Sequence, residues 1–252
     1  MIADYPAQHH VPGLRRLWKE AFGDTDVFLD GFFEYGFSPR RCRCIGENGD
    51  VWAALYWFEV TWRGQRFAYL YAVATAAARR GQGLFSALLE DTKQVLRAQG
   101  YDGILLVPEG EGLARMYEKF GFFAATTVED YRVEAAKRPV SCRETGAAEF
   151  AQLRRDLLPE GGVLQEGEIL RFLASQYRFW AGDGFLAVGQ IYGGKLVCQE
   201  FLGEANAMGG LVRALDVPVG VFRAPGNKRP FAWFLPLRGG CEPPAYFGLA
   251  LD

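Results

Sequence analysis

Histidine is almost missing from this chain: of 252 residues only His9 and His10 carry an imidazole, side by side near the start. A catalytic triad built on histidine is therefore disfavoured, because both lie far along the chain from any other candidate chemistry. Cysteine is also sparse. Cys42, Cys44, Cys142, Cys198 and Cys241 are odd in number and irregular in spacing, which excludes a disulfide framework and points to a reduced, cytoplasmic setting. Cys42 and Cys44 share one face of an expected strand, but with no second Cys/His cluster to complete about four ligands, no metal site is expected. No apolar stretch reaches the ~18 residues that span a bilayer, and the opening MIADYPAQHH lacks the basic segment and apolar run of a signal peptide, so no membrane partner is expected. Charge of one sign is not in excess. There are 28 Lys and Arg against 30 Asp and Glu, a net charge of -2 and a pI near 5.9, which gives no basic face for nucleic acid.

What the chain does have is apolar bulk. Half of its residues are hydrophobic, enough for a sizeable core, and the length suits two domains. Val11, Leu14, Leu17, Trp18 and Phe22 recur at helical spacing. Gly23-Asp24-Thr25 ends that helix and caps a second one carrying Phe28, Leu29, Phe32 and Phe33. Strands are expected over 41–47, 51–62 and 67–74, joined by turns at Asn48-Gly49-Asp50 and Arg63-Gly64-Gln65. A helix from Gly83 to Ala98, a strand from Gly103 to Val107, a short helix from Leu113 to Phe120 and a closing strand or hairpin over 123–133 complete an α/β layered domain. The strand at 67–74 and the one at 103–107 form a parallel pair across a right-handed crossover.

Lys137-Arg138-Pro139 reads as a linker, dividing the chain into domains 1–137 and 138–252. The second repeats much of the first in element order: helices from Gly146 and over Glu166–Trp180, a hairpin over 185–202, a helix over 207–215, and strands over 217–223 and 231–237.

Chemistry concentrates between Tyr69 and Ser86. A strand runs into a loop of small residues, then Arg80-Gly81-Gln82-Gly83 opens a helix. Backbone N–H groups at such a helix start lack partners and carry partial positive charge. Glycines let a diphosphate approach the backbone, and Arg80 adds charge-assisted hydrogen bonds. The glycine spacing fits neither a dinucleotide fingerprint nor a P-loop. On its own the loop reads equally as a tight turn.

The run from Val73 to Phe122 resembles the GNAT superfamily of N-acetyltransferases. Arg80 and Gly83 stand at the fixed positions of its Arg/Gln-x-x-Gly-x-Gly/Ala motif, while Phe85 replaces the last small residue. Ala114, Tyr117, Gly121 and Phe122 are similar to the family's Ala…Tyr…Gly-Phe segment, although the usual asparagine before it is absent. The resemblance implies a GNAT-type mixed, mostly antiparallel sheet flanked by helices. It extends to tandem members of the enhanced-intracellular-survival type, which implies a degenerate GNAT-like second half; no Arg-x-x-Gly-x-Gly occurs in residues 138–252. It implies acetyl-CoA as co-substrate, held by Val73, Ala74 and Thr75 along the pantetheine arm and by Arg80, Gly81, Gln82, Gly83, Leu84, Phe85 and Ser86 at the diphosphate. Tyr117 is then the general acid toward the coenzyme's sulfur, and an amide of Val73 or Ala74 holds the oxyanion.

The implied activity is acetyl transfer to a primary amine of a small molecule or a protein, by direct attack in a ternary complex. The alternative is a non-catalytic acyl-CoA-binding sensor or interaction module. Phe28, Phe32, Phe33 and Tyr35 are the candidate acceptor-binding residues, with Asp24, Asp26, Asp30 and Glu34 attracting a cation; ordinary core packing beside a solvated acidic face is the competing reading. Glu59, Glu109 and Glu111 are candidate bases, and the resemblance adds the carboxylate of Asp252. The second half closes one side of the acceptor cleft or forms a subunit interface, which leaves a homo-oligomer open.

Overall fold

The computed structural model describes residues 2–251. The chain forms two compact units, one made of Met1–Leu106 with Leu235–Glu242 and the other of Val107–Phe234 with Pro243–Asp252.

In the first unit, α1 (Val11–Phe22) buries Leu14, Leu17 and Trp18 on one face. It ends where Gly23, at φ 72°, turns left-handed and donates its N–H to the Lys19 carbonyl. The start of α1 lies so close to the next hairpin that a Cβ on Gly13 would stand 2.3 Å from the Gly49 carbonyl oxygen. The Thr25 hydroxyl accepts from the Phe28 N–H and caps α2 (Asp26–Gly31), which continues into a wider helical turn over Phe32–Gly36. Three antiparallel strands follow: β1 (Cys42–Glu47), β2 (Asp50–Trp62) and β3 (Gln65–Thr75). Then α3 (Leu84–Ala98) crosses back and β4 (Gly103–Leu106) pairs parallel with β3. The Arg43 guanidinium of β1, itself buried, holds the Asp91 carboxylate of α3 at 2.7 and 3.0 Å and fixes that helix to the sheet. Leu235–Glu242 return to this unit from far along the chain: the Leu237 N–H donates to the Asp102 carbonyl, and Arg97 of α3 donates to the Leu237 carbonyl.

The second unit begins with α4 (Gly110–Glu118), β5 (Phe123–Ala124) and β6 (Thr127–Glu134). It continues through β7 (Cys142–Glu144), α5 (Ala147–Leu157), α6 (Glu168–Gln176), β8 (Arg178–Gly182), β9 (Phe185–Tyr192), β10 (Lys195–Gly203) and α7 (Asn206–Ala214). The last elements are β11 (Val219–Pro225) and β12 (Arg229–Pro230); β13 (Trp233–Pro236) begins here and runs on into Leu235–Glu242 of the first unit. Its sheet has seven strands in the order β12-β6-β11-β10-β9-β8-β7. Phe185, Phe201, Phe222, Leu211 and Met208 are fully buried between this sheet and α7. Each large side chain so enclosed contributes about 1.5–3 kcal/mol.

The halves repeat one plan. A helix pair, a flanking strand, an antiparallel hairpin, a crossover helix and a parallel strand appear as α1, α2, β1, β2–β3, α3, β4, and again as α5, α6, β8, β9–β10, α7, β11. Both sheets are mixed and mostly antiparallel. Two expectations are corrected. The closing strand or hairpin expected over 123–133 is split: β5 pairs with β13, whereas β6 pairs with β11 from Val219–Glu134 to Pro225–Val128 in the second sheet, a long-range pairing that no local pattern encodes. The helix expected over Glu166–Trp180 stops at Gln176, and Arg178–Gly182 is strand β8, because Phe179 and Trp180 are buried as a strand against β9.

Candidate functional site

The site begins where β3 breaks its own regularity. Tyr71 pairs with Tyr56 and Ala74 with Ala54, so Ala72 and Val73 together stand opposite Leu55 as a bulge. Ala72 sits at φ 48°, a left-handed conformation that costs an L-residue roughly 1–2 kcal/mol, and strain of this kind collects at functional positions. The pairing of β3 with β4 runs from Phe67–Gly103 to Tyr69–Leu105, whereas β3 itself continues to Thr75. β4 ends at Leu106, so β3 from Tyr71 to Thr75 runs on past the end of that ladder. Val73 and Thr75 are half-buried there and Ala74 is buried.

The chain then passes through a short 3-10 turn, Ala77–Arg79, into α3. Gly81 and Gly83 adopt φ 75° and 77°, and a Cβ on either would meet nothing within 4 Å. Glycine is thus required at both by backbone conformation and leaves open space beside it. Gly83 is the N-cap of α3 and has no side chain to cap with, so the first-turn amides face outward without an intrahelical acceptor. Arg80, Gly81, Gln82, Gly83 and Ser86 are exposed, Phe85 is half-buried and Leu84 is in the core. Arg80 donates from Nε to the Thr75 carbonyl at 3.2 Å, and Gln82 donates to the Ala78 carbonyl at 3.3 Å. The arrangement is an outward-facing ring of donors at the positive end of a 15-residue helix, suited to an anion.

Tyr117 lies in the second unit, on α4. It is buried, its ring meets Phe122 edge-on at 5.5 Å, and burial pushes its hydroxyl up to about 12. The phenol therefore keeps its proton across the physiological range and serves as a donor.

Of the aromatic residues expected at the acceptor site, Phe28, Phe32 and Phe33 belong to one cluster in the first unit. Phe32 is at its centre, 4.5 Å from Trp18, 5.2 Å from Tyr56 and 5.9 Å from Tyr71, and is only 1% exposed. Phe28 meets Trp18 at 6.3 Å and Phe33 meets Phe37 at 4.9 Å. Both are half-buried, and Tyr35 is exposed. Tyr71 joins the cluster to the open stretch of β3.

The acidic residues beside the cluster are already engaged. Asp24 accepts from the Trp18 indole at 2.8 Å, Asp26 pairs with Lys19 at 2.6 Å, and Asp30 pairs with Arg15 at 2.6 Å. The Lys19 ammonium holds Asp26 below the usual carboxylate range. Asp26 and Asp30 are thus paired with cations, whereas the donor to Asp24 is neutral.

Glu59 is similarly committed. Arg66 donates to it at 2.6 Å and the Tyr101 hydroxyl at 3.0 Å, and the Arg66 bond first, with help from Tyr101, lowers its proton affinity. A carboxylate so held is a poor base. Glu109 precedes α4 and Glu111 pairs with Arg115 at 3.1 Å, both exposed. Asp252 lies outside the described residues. Among the described residues no group of three or more His, Cys, Asp or Glu is placed to hold a metal ion, and no helix is long and apolar enough to cross a membrane.

Two contacts that sequence reading missed tie the loop down. The Glu20 carboxylate accepts from the Ala77 N–H at 2.6 Å, and the Arg79 guanidinium lies 4.4 Å from the centre of the Trp52 ring. Glu20 and Ala77 are 57 residues apart, so no local spacing announces the pair.

Residues 5–125 match the family model described as "Acetyltransferase (GNAT) domain". Solved structures share the architecture over nearly the whole chain. A GCN5-related N-acetyltransferase from Kribbella flavida superposes with a TM-score of 0.68 at 14% identity, covering 92% of this chain and 70% of that one. Eis1 from Mycobacterium abscessus gives 0.67 at 15%, covering 94% and 74%. A tandem GNAT protein of the clavulanic acid biosynthesis pathway gives 0.57 at 12%, covering 95% and 99%. At such identities the likeness establishes the fold. No curated protein matches the sequence.

Proposed function

We propose, on the premise that the chain belongs to the GNAT acetyltransferase family through residues 5–125, that it transfers an acetyl group from acetyl-CoA to a primary amine by direct attack. The observation that carries this reading is the continuity from the open stretch of β3 to the start of α3. The β3–β4 ladder ends at Tyr69–Leu105, and on the edge of β3 beyond it we place an extended pantetheine arm, adding like a strand, while the amides around Gly81 and Gly83 receive the diphosphate where that arm ends.

Acetyl transfer asks for an oxyanion donor, a proton for the leaving thiolate and a neutral amine. The bulge at Ala72–Val73 interrupts the ladder there, and the amide of Val73 or Ala74 is the donor we assign to the thioester oxygen as it gains charge. The family resemblance assigns Tyr117 the role of proton donor to the leaving thiolate, and a phenol protonated at neutral pH suits that role. The acceptor enters beside Phe28, Phe33 and Tyr35, with Phe32 supporting that wall from within and Tyr71 joining it to β3. The acceptor is a small-molecule or protein amine. The paired state of Asp26 and Asp30 favours one that does not depend on a strong acidic field. Residues 138–252 lack the Arg-x-x-Gly-x-Gly pattern, which supports one cofactor site per chain. Five free thiols suit a cytoplasmic setting.

The test pairs binding with turnover. Titration calorimetry with coenzyme A and acetyl-CoA should give saturable binding that Arg80→Glu abolishes, and thiol release from acetyl-CoA should rise with at least one member of an amine panel. Absence of coenzyme binding by the wild type would overturn the reading. Binding without release across a broad panel would favour the sensor instead.

A further inference from the structure

The exposed carboxylate of Glu20 touches the loop that the preceding reading assigns to the diphosphate, and its sign is wrong for a ligand of an anion. It sits on α1, accepts from the Ala77 N–H at 2.6 Å, and carries negative charge toward a turn whose other outward groups are donors. A short bond from a carboxylate to a backbone amide is among the stronger neutral-to-charged contacts. What such a group contributes at an anion site is shape.

The neighbouring contacts agree. The Ala76 N–H donates to the Trp52 carbonyl at 2.8 Å, and Arg79 stacks on the Trp52 ring. With Glu20 these ties fix the start of the 3-10 turn from two sides, β2 and α1. The turn sets the direction in which the chain enters Gly81–Gly83, and with it where the first amides of α3 point. Two residues before Glu20 on the same helix, Trp18 packs against Tyr71 at 5.5 Å. One helix therefore contacts both the open stretch of β3 and the loop beyond it.

We infer that Glu20 is a positioning residue for the coenzyme's diphosphate: it holds the Ala77 amide so that the backbone donors from Gly81 to Ser86 are aimed before the ligand arrives. The inference rests on the coenzyme reading above. Removing the acceptor frees the turn, whereas replacing the carboxylate by an amide keeps an acceptor oxygen and removes the unfavourable charge.

The experiment measures dissociation constants of the full chain for coenzyme A and for pantetheine, which lacks the diphosphate, in wild type, Glu20→Ala and Glu20→Gln. Thermal unfolding of each variant without ligand checks that the fold is kept. Glu20→Ala should weaken coenzyme A by about tenfold, the loss expected for one charge-assisted hydrogen bond, and leave pantetheine unchanged. Glu20→Gln should bind coenzyme A within about threefold of wild type, or tighter, by restoring the acceptor. Equal coenzyme A binding by wild type and Glu20→Ala overturns the inference alone. So does an equal loss for both ligands, or a glutamine variant as weak as the alanine one. A wild type that binds no coenzyme A overturns the functional reading itself.

Discussion

Arg154 grips Glu200 twice, through Nε at 2.7 Å and Nη2 at 2.8 Å, with both side chains buried in the second unit. The Tyr246 hydroxyl adds a third donor to the same carboxylate at 3.0 Å, and Arg154 also donates to Gln165 and to the Val163 carbonyl. Gln165 in turn holds both backbone groups of Leu249. Gly248 is confined by this network: a Cβ there would stand 1.9 Å from a Glu200 oxygen.

Breaking the pair on one side strands a buried charge. Glu200→Ala or Arg154→Ala is expected to cost about 3–5 kcal/mol in urea unfolding. The double replacement Arg154→Met with Glu200→Leu should cost less than either single change, since it leaves no isolated charge.

At Gly83 the backbone and the ligand make separate demands. Gly83→Ala places a Cβ at φ 77° and should cost about 1 kcal/mol of stability from conformation alone. Coenzyme affinity should fall as well, because the methyl group stands in the space the diphosphate needs. Calorimetry together with chemical unfolding separates the two effects.

Tyr117→Phe removes a donor without opening a cavity. Under the proposed role, turnover with acetyl-CoA should fall roughly 100-fold or more, while coenzyme binding holds. The same residue gives a pH signature. Its hydroxyl is raised by burial from its ordinary value near 10 to about 12, so the folded state favours the protonated form. Its contribution is fully present below pH 10 and is lost as pH climbs toward 12. Wild-type stability should therefore fall relative to Tyr117→Phe by roughly 2 kcal/mol between pH 9 and pH 12, measured by denaturant unfolding at each pH.

The thiols divide by burial. Cys42, Cys44 and Cys198 are buried, and burial pushes Cys44 up to about 11 and Cys198 up to about 12. Cys142 and Cys241 are half-buried. A thiol reagent at pH 8 should modify Cys142 and Cys241 in the folded protein and reach the other three only in denaturant, as peptide mapping would show.

Much of the first unit was legible because its signals are local. The turn residues at Asn48-Gly49 and Arg63-Gly64 bound the hairpins, and Leu84, Leu88 and Leu96 mark the buried face of α3. The candidate loop was legible for the same reason: Gly81 and Gly83 are local requirements of backbone conformation. What escaped were relationships across sequence. The partner of β6 is β11, some ninety residues on, and Glu20 finds Ala77 through the fold. Charge pairing was equally hidden. Glu59 reads as a free carboxylate until Arg66 and Tyr101 are brought to it, and Asp26 and Asp30 read as an open acidic face until Lys19 and Arg15 occupy them.

The return of Leu235–Glu242 to the first unit has a consequence for synthesis. A nascent chain cannot finish its N-terminal half when that half leaves the ribosome; the half stays open along one side until residue 242 has emerged. Folding one half after the other, like beads on a string, is closed to this protein, and a gene cut at Lys137 would encode two fragments that each lack a strand held by the other.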